Sequence, residues 1–554
     1  MINFRVLRPR ASLSAGLALL IPLGLPAQTV TRGPYLQLQT PQSAVVAWRT
    51  DVPTDSRVRY GTAVSTLSSA ASDPAPTTEH RVTVSGLSAE TRYYYSVGSS
   101  SAAFAGGDSS HYFSTAPPVG AVRPVRIWVT GDSGTADTRP RAVRDAYLAF
   151  AAGRATDAWL MLGDNAYVSG TDDEYQAAVF DVFFGVLRNT FLWPTLGNHD
   201  GYSANSASQT GPYFDIFTLP AAGQAGGLPS GTEAYYSFEY ANIHFVCLDS
   251  YGSPRGAADP MLTWLAADLA SNTRDWTIAY WHHPPYSKGS HDSDVEGELI
   301  EMRQQALPVL EAGGVDLVLT GHSHSYERSF LLDGHYGVST TLVPSMKKDG
   351  GSGRETGTGA YRKRAGVHPR QGTVYAVAGT SGQIGGGTLD HPAIFFSVAQ
   401  LGSLVLDVEA DRLDARFLTS TGAIADSFSI VRSTQFHTVP PCRLLDTRDP
   451  DGPAGGPSVT AGSDRTLAVS GRCGIPVSAR TLSLNITVTR PTNAGYLLAT
   501  AAASRPSSSS TINFRAGQTR ANSARVPLGA GGAMLLRSSA GTCDVVIDVS
   551  GYFD

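Results

Sequence analysis

Residues 125–130 read VRIWVT, an apolar strand pattern, and run directly into Gly131-Asp132-Ser133-Gly134. The same order, an apolar strand followed at once by a polar turn, recurs four more times downstream. Those turns are Gly163-Asp164-Asn165-Ala166-Tyr167, Gly197-Asn198-His199-Asp200, His282-His283-Pro284-Pro285-Tyr286 and Gly321-His322-Ser323-His324. Because ligands of open α/β sheets bind beyond the carboxyl ends of the strands, the five turns predict one shared site.

The chain divides into three regions by pattern. Residues 30–117 alternate apolar and polar positions in short runs, which predicts a small β-sandwich. In residues 124–432 strands alternate with helices, predicted near 139–151, 173–187 and 296–312, and this favours a layered α/β domain. Residues 436–554 are all-β by pattern. The expected architecture is therefore multidomain, with a central domain of sandwiched sheets flanked by helices.

The residue types in the five turns favour two metal ions. Aspartate can bridge two cations, while imidazole and carboxylate suit zinc, iron and manganese. His322 and His324 reach one site only from an irregular turn, which we expect Gly321 to permit. The alternative is that these residues are ordinary polar loop residues, which five matching turns argue against.

The five turns together resemble the motifs of purple acid phosphatases, within the calcineurin-like metallophosphoesterases. GPYLQL at 33–38 and RYYYSVG at 92–98 resemble that family's N-terminal fibronectin type III-like domain, so the resemblance spans residues 30–432. Most calcineurin-like enzymes carry Asp-x-His in the first turn, and here Gly134 takes the histidine position. Tyr167, three residues after Asp164, matches the tyrosine that purple acid phosphatases use instead.

The resemblance implies a dinuclear centre of Fe(III) and a divalent ion, which is Zn, Fe or Mn. It implies that Asp164 bridges the two ions. The ligands implied for Fe(III) are Asp132, Asp164, Tyr167 and His324. The ligands implied for the divalent ion are Asp164, Asn198, His282 and His322.

The resemblance also implies a secreted acid phosphatase that hydrolyses phosphate monoesters by attack of metal-bound hydroxide. His199 matches the family's catalytic histidine, and Asp200 is expected to orient it. His291 is a weaker match to a second, substrate-contacting histidine, because the gap to Glu296-Gly297-Glu298 is two residues longer than in the family.

Two other functions stay open. A phosphodiesterase or nucleotide phosphohydrolase would use the same metals. A cell-surface binding protein would use the catalytic domain only as a scaffold, and the seven intact ligand positions argue against it. Small phosphate esters are the expected partners. A net charge of −5, from 42 basic and 47 acidic residues, argues against nucleic-acid binding other than as a substrate.

The first 27 residues have the layout of a secretory signal peptide. Arg5, Arg8 and Arg10 precede the apolar run 17–25, and a small-residue cleavage site follows near Ala27. We therefore expect a secreted protein, extracellular, periplasmic or at the cell surface, with no membrane span. The alternative is an uncleaved anchor.

Three of the four cysteines lie in the last region. An oxidising compartment permits one bridge among Cys442, Cys473 and Cys543, and of the possible pairs we predict Cys442 with Cys473. Cys247 is expected to be a buried thiol. PCRLLDTR at 441–448 and DVSGYF at 548–553 resemble a C-terminal β-module of secreted bacterial proteins. The excess of basic residues in 436–554 suggests contact with an acidic cell wall. The alternative is a domain with no binding role of its own.

Overall fold

A computed structural model describes residues 1–2, 28–502, 509–529 and 531–554 of the chain. The apolar run and cleavage site of the predicted signal peptide lie outside the described residues. Among the described residues, no helix combines the length and the apolar character that a bilayer crossing requires.

Six strands build the N-terminal β domain. They are β1 Val30–Gln37, β2 Ser43–Gly61, β3 Ser69–Ser85, β4 Arg92–Gly98, β5 Ala103–Gly106 and β6 Tyr112–Ser114. The sequence suggests two strands, AVVAWRT and RVRYG, where the structure has the single 19-residue strand β2. Strand β2 pairs with β1 through its first half and with β4 through its second, and its register shifts between Arg49 and Thr54. All six strands are therefore connected in one hydrogen-bonded sheet.

The central region contributes sixteen strands and eight α-helices. The strands are β7 Val125–Thr130, β8 Ala158–Met161, β9 Leu192–Pro194, β10 Tyr236–Tyr240, β11 Ile243–Cys247, β12 Trp276–Tyr280, β13 Leu317–Thr320, β14 Tyr326–Ser329, β15 Leu331–Leu332, β16 Lys347–Asp349, β17 Tyr361–Arg364, β18 Val374–Ala378, β19 Ile394–Val398, β20 Gly402–Glu409, β21 Arg412–Thr419 and β22 Ile424–Ser433. The helices are α1 Thr138–Ala151, α2 Asp172–Tyr175, α3 Asp181–Leu187, α4 Asn198–Gly201, α5 Pro212–Ile216, α6 Pro260–Ser271, α7 Gly297–Glu301 and α8 Leu307–Ala312. Single π-helical turns join α2 to α3 and α7 to α8, so the three predicted helices are confirmed.

Two seven-stranded mixed sheets form the frame of this region. Their strand orders are β10-β11-β12-β13-β18-β14-β19 and β17-β22-β21-β20-β7-β8-β9. Strands β11, β12, β13 and β18 run parallel in one sheet, and β7, β8 and β9 run parallel in the other. Parallel strands end at the same edge of a sheet, and both parallel sets deliver their following turns to one place.

One apolar core holds the two sheets together. Trp128 belongs to this core, with its ring stacked 4.4 Å from Tyr147 and 4.8 Å from Trp159. Residues from both sheets share this core, including Phe245 and Leu404, which are fully buried. On the other face of the β10–β19 sheet, α6 and α8 form a second apolar cluster. Both faces of that sheet are thus covered, which fixes the ends of its strands.

The last region forms a separate β-rich domain with its own core. Its strands are β23 Phe436–Asp446, β24 Val459–Thr460, β25 Asp464–Ala468, β26 Thr481–Thr489, β27 Gly495–Ala501, β28 Ile512–Phe514, β29 Arg520–Pro527, β30 Ala533–Ser538 and β31 Thr542–Phe553. Cys442 and Cys473 form a disulfide, as predicted, and Cys247 and Cys543 are buried thiols.

Candidate dinuclear metal centre

The five polar turns meet because glycines let their backbones approach closely. A Cβ added at Gly197 would lie 2.2 Å from Oδ1 of Asp164, and one at Gly321 would lie 2.4 Å from Oδ2 of Asp132. Gly321 itself does not adopt the left-handed conformation; His322 does, at φ 65°. Gly321 is therefore needed because a side chain there would clash with Asp132, and the irregular backbone conformation is that of His322.

Asp132 and Asp164 also have left-handed backbones, at φ 55° and 52°. Residues with a side chain rarely adopt this conformation, and such strain is maintained only where the surrounding structure enforces it. In each case the turn follows a buried parallel strand and aims the side chain back toward the neighbouring turn. Backbone strain is thus concentrated at three of the seven predicted ligands.

The first half of the site contains Asp132, Tyr167 and His324. The Tyr167 hydroxyl donates to Oδ1 of Asp132 over 3.2 Å and lies 3.4 Å from Nε2 of His324. Nε2 of His324 lies 3.5 Å from the same Asp132 oxygen. A carboxylate, a phenol and an imidazole therefore converge on one point, which is a donor set suited to a hard, highly charged cation.

The second half contains Asn198, His282 and His322. Oδ1 of Asn198 lies 3.0 Å from Nε2 of His282 and 3.1 Å from Nδ1 of His322, and these two ring nitrogens are 3.2 Å apart. His282 donates from Nδ1 to the carbonyl of Leu162 over 2.8 Å, which leaves its Nε2 free to bind a metal. Two imidazoles and an amide oxygen suit a divalent transition metal.

Asp164 lies between the two halves. Its Oδ1 is 3.3 Å from Nε2 of His282, and it accepts a hydrogen bond from the backbone of His199 over 3.0 Å. Ligand atoms of Asp132, Asp164 and His282 all lie within 4.8 Å of one another. The structure thus brings the seven predicted ligands together, with the predicted bridging carboxylate in the middle.

Burial and charge set the protonation of these groups. Burial alone would raise the pKa of Asp132, but His324 and His282 outweigh it and hold that pKa below its ordinary value. Burial, together with Asp132 and Asp164, raises the pKa of Tyr167 well above 10.0. Burial also lowers the pKa of His322 to about 4, against the opposing effect of Glu296. Without a cation, the tyrosine is therefore a phenol and His322 is a neutral imidazole.

His199 lies at the open side of the centre. Its Nδ1 donates to the carbonyl of Val168 over 2.6 Å, which directs Nε2 toward the site, 3.9 Å from Oδ2 of Asp164. The ring packs against Tyr167, with 4.6 Å between centroids, and its side chain is 26% exposed. His199 is therefore fixed in orientation while its Nε2 stays accessible.

His291 packs against a predicted ligand, with its ring tilted by 35°. Its ring lies 3.8 Å from the ring of His322, and its Nδ1 donates to Glu296 over 2.9 Å. Glu296 also lies 3.3 Å from Nε2 of His322. His291 therefore lies at the centre even though the gap to Glu296 is longer than in the family. Because Nδ1 makes the contact with Glu296, Nε2 is left for another partner.

Asp200 lies beneath the site instead of beside the His199 ring. Its carboxylate accepts hydrogen bonds from the backbone of Asn165 and Gly197 and from the hydroxyl of Tyr175. Burial and the charge of Asp164 raise the pKa of Asp200 to about 6. These contacts tie the second and third turns together and do not run to the His199 imidazole.

Two residues at the site, His283 and Gln383, are not among the predicted site residues; the resemblance makes His282, and not His283, the ligand of its turn. His283 is buried, and a nitrogen of its ring lies within 4.8 Å of ligand atoms of His282 and His322. The amide of Gln383 lies 3.0 Å from Nε2 of His324. A signal for Gln383 was present, since the buried strand β18 ends in Gly379-Thr380-Ser381-Gly382, a sixth strand end with the same glycine pattern.

Comparison with known proteins agrees with this geometry. Residues 31–115 match the family model of the purple acid phosphatase N-terminal domain, and residues 125–326 match that of calcineurin-like phosphoesterases. All the turns that carry the seven predicted ligands lie within residues 125–326. The structure of purple acid phosphatase PPD1 from yellow lupin superposes with a TM-score of 0.53 at 16% identity, covering 73% of this chain and 75% of that one, which shows a shared fold.

Curated proteins similar in sequence to this chain are also called purple acid phosphatases. Purple acid phosphatase 18 of Arabidopsis thaliana is 29% identical over 262 residues, covering 45% of this chain and 53% of that protein. A purple acid phosphatase of Glycine max is 28% identical over 260 residues, covering 45% and 52%. The chain thus spans about half the length of the curated relatives it matches. Residues 31–115 and 125–326 therefore resemble, in the same order, a purple acid phosphatase N-terminal domain and a calcineurin-like phosphoesterase domain.

Proposed function

We propose that the protein is a dinuclear-metal acid phosphatase that hydrolyses phosphate monoesters. The observation that carries the proposal is the convergence of seven donor side chains on two adjoining points that share Asp164. Charged groups packed so closely, three of them on strained backbones, suit a site whose like charges are offset by cations.

The two halves of the site fit two different ions. Asp132, Tyr167 and His324, with Asp164, would hold Fe(III), because a phenolate is a hard anionic ligand. Asn198, His282 and His322, again with Asp164, would hold Zn, Fe or Mn in the divalent state. When bound, such a pair supplies Lewis acidity that activates water and neutralises charge on a phosphoryl group.

The protein's own groups then position the ester and move the proton. His199 Nε2 faces the centre while Nδ1 donates to Val168, so a protonated His199 can donate from Nε2 to the leaving oxygen. His291, held by Glu296, presents its Nε2 to a phosphoryl oxygen. We assign Asp200 a positioning role, because it holds Asn165 and Gly197, whose turns carry Asp164 and Asn198.

Export is part of the proposal. It is supported by the signal-peptide layout of residues 1–27 and by the Cys442–Cys473 disulfide, because disulfides persist in oxidising compartments. Cell-wall contact through residues 436–554 stays a prediction, as do the domain limits 30–117, 124–432 and 436–554.

The first test compares hydrolysis of an aryl phosphate monoester with that of the matching diester at acid and neutral pH. Metal content is measured on the same samples. We expect faster monoester turnover in acid, with two metal ions per chain. The variant Asp164→Asn should lose at least about 1,000-fold in kcat, because it weakens the ligand shared by both ions.

Two outcomes would contradict the proposal. Dominant diester or nucleotide turnover would keep the metal centre and make the protein a phosphodiesterase or nucleotide phosphohydrolase. Full metal loading with no turnover of either ester would favour a binding protein built on a phosphoesterase scaffold.

A further inference from the structure

Exposed apolar residues lie on the turns whose side chains and carbonyls contact the residues of the candidate metal centre. We define the apolar rim as the four residues Val168, Tyr202, Val295 and Ile384, which are 66%, 58%, 73% and 52% exposed. Apolar side chains this exposed leave area for a ligand to bury, and several around one opening indicate a binding surface.

Each rim residue lies beside a group that contacts the centre. Val168 accepts from His199 through its carbonyl, and the Tyr202 ring lies 5.2 Å from the His199 ring. Val295 directly precedes Glu296, which contacts His291 and His322. Ile384 directly follows Gln383, whose amide contacts His324. The rim therefore borders both halves of the site.

The Tyr202 side of the rim continues as an aromatic surface. The Tyr202 ring packs edge-on against Tyr251 at 6.4 Å, and Tyr251 stacks at 6.3 Å on His283. This surface begins at His199, the residue proposed to protonate the leaving oxygen. A group attached to that oxygen would therefore lie near the Tyr202 ring, which is 5.2 Å from the His199 ring.

Cationic side chains on the neighbouring loops are already paired. Lys288 lies 2.6 Å from Asp292 and 3.0 Å from Asp294. Arg255 lies 2.7 Å from Glu301, and Arg139 lies 2.6 Å from Asp137. A substrate with further phosphate groups would need free cations at the entrance, whereas the rim offers apolar contact.

We infer that the apolar rim binds the leaving group, and that the preferred substrates are phosphate monoesters of aromatic or extended apolar alcohols. This inference rests on the proposed phosphatase function and adds its substrate class. Tyr202 is the specificity-determining residue on the His199 side, and Val295 is its counterpart on the His291 side.

The test compares phenyl phosphate with 2-naphthyl phosphate, whose leaving groups have similar acidity and differ in apolar area. We expect kcat/KM to be about tenfold higher for the naphthyl ester, because its second ring becomes buried against the rim. Tyr202→Ser and Val295→Ser should each reduce that ratio at least about threefold, while Tyr202→Phe should retain it. Val477→Ser is the matched control, since Val477 is 89% exposed in the last domain and should leave the ratio unchanged.

A binding measurement separates this inference from the proposed function. 2-Naphthylmethylphosphonate should bind about tenfold more tightly than methylphosphonate by calorimetry, with a more negative heat-capacity change, and Tyr202→Ser should remove the difference. If neither ester is hydrolysed, the phosphatase proposal fails, and the phosphonates alone decide whether the rim binds apolar groups. Equal kcat/KM for both esters, equal binding of both phosphonates, or a preference for nucleoside triphosphates would overturn the inference.

Discussion

Arg32 donates from Nη1 to Oδ1 of Asp172 over 2.8 Å and so joins strand β1 of the N-terminal domain to helix α2 of the catalytic domain. The Arg32 side chain is 1% exposed, and it also donates to the backbone carbonyl of Asp172. Arg49 contacts the same carboxylate, and the two arginines hold the pKa of Asp172 at about 2. Helix α2 follows the Tyr167 turn directly, so the N-terminal domain supports the candidate metal centre.

Asp172→Ala should destabilise the protein more than Arg32→Met. The first variant leaves a buried guanidinium without its carboxylate and should cost about 3 kcal/mol. The second leaves Asp172 partly exposed and still paired with Arg49, and should cost about 1 kcal/mol. Urea denaturation gives both values. Arg139→Met, which removes an exposed pair with Asp137, is the control and should have little effect. Equal losses for the two variants would refute the proposed asymmetry.

Gly197→Ala should disable the metal centre with little change in the fold elsewhere. The added Cβ would lie 2.2 Å from the backbone nitrogen and Oδ1 of Asp164, so the bridging carboxylate must move. We expect loss of bound metal and a fall in kcat of about 100-fold or more. The measurements are metal content and turnover.

Gly185→Ala is the matched control for Gly197→Ala. A Cβ at Gly185, in helix α3, meets no atom within 4 Å. This variant should keep its metal and gain about 0.5–1 kcal/mol in stability, because alanine favours a helix. Normal metal binding by Gly197→Ala would show that the turn tolerates a side chain.

Deprotonation of His244 should lower the free energy of unfolding at alkaline pH. Burial alone would lower its pKa, but Asp268, 2.7 Å from its Nε2, and Glu239 outweigh burial and raise the pKa to about 9. The pKa of His244 is thus higher in the folded protein than in the unfolded chain, where it is about 6.5. The protonated form therefore stabilises the fold fully below pH 6.5, and this contribution is lost as the pH rises through 9. The loss should be about 3 kcal/mol.

Thermal unfolding between pH 6 and pH 10 measures this effect. His244→Gln removes the titrating group, so its unfolding temperature should fall less over the same range. A parallel decline in both proteins would mean that other groups carry the alkaline loss.

The Cys442–Cys473 disulfide should stabilise the last domain specifically. It closes a loop with a sequence separation of 31 residues, which in the chain-entropy model corresponds to about 3–4 kcal/mol. Cys442→Ser/Cys473→Ser should therefore lower the unfolding transition of residues 436–554. Calorimetry checks this, and turnover at the metal centre should not change. An unaltered transition would show that the domain core suffices without the crosslink.

The seven ligands could be predicted from sequence because each lies in a polar turn that follows a buried strand, and six of the seven ligands share that turn with a glycine, His282 being the exception. The pattern is local, and parallel strands must end on one edge. The three helices flanking the strands followed from the same alternation. The likeness of the N-terminal domain to fibronectin type III stays a prediction. The continuous strand β2 could not be predicted from the sequence, because a strand can continue through a register shift that its sequence pattern does not reveal.

The sequence by itself determined the donor chemistry, the order of the strand-end turns and the cysteine pair. Only the tertiary structure decided which groups surround the donors. It placed Asp200 beneath the centre, His283 and Gln383 against it, and the apolar rim at its entrance. The physical reason is that residue identity and strand periodicity are local properties, whereas contacts between turns separated by up to about 250 residues depend on how two sheets pack on one shared core.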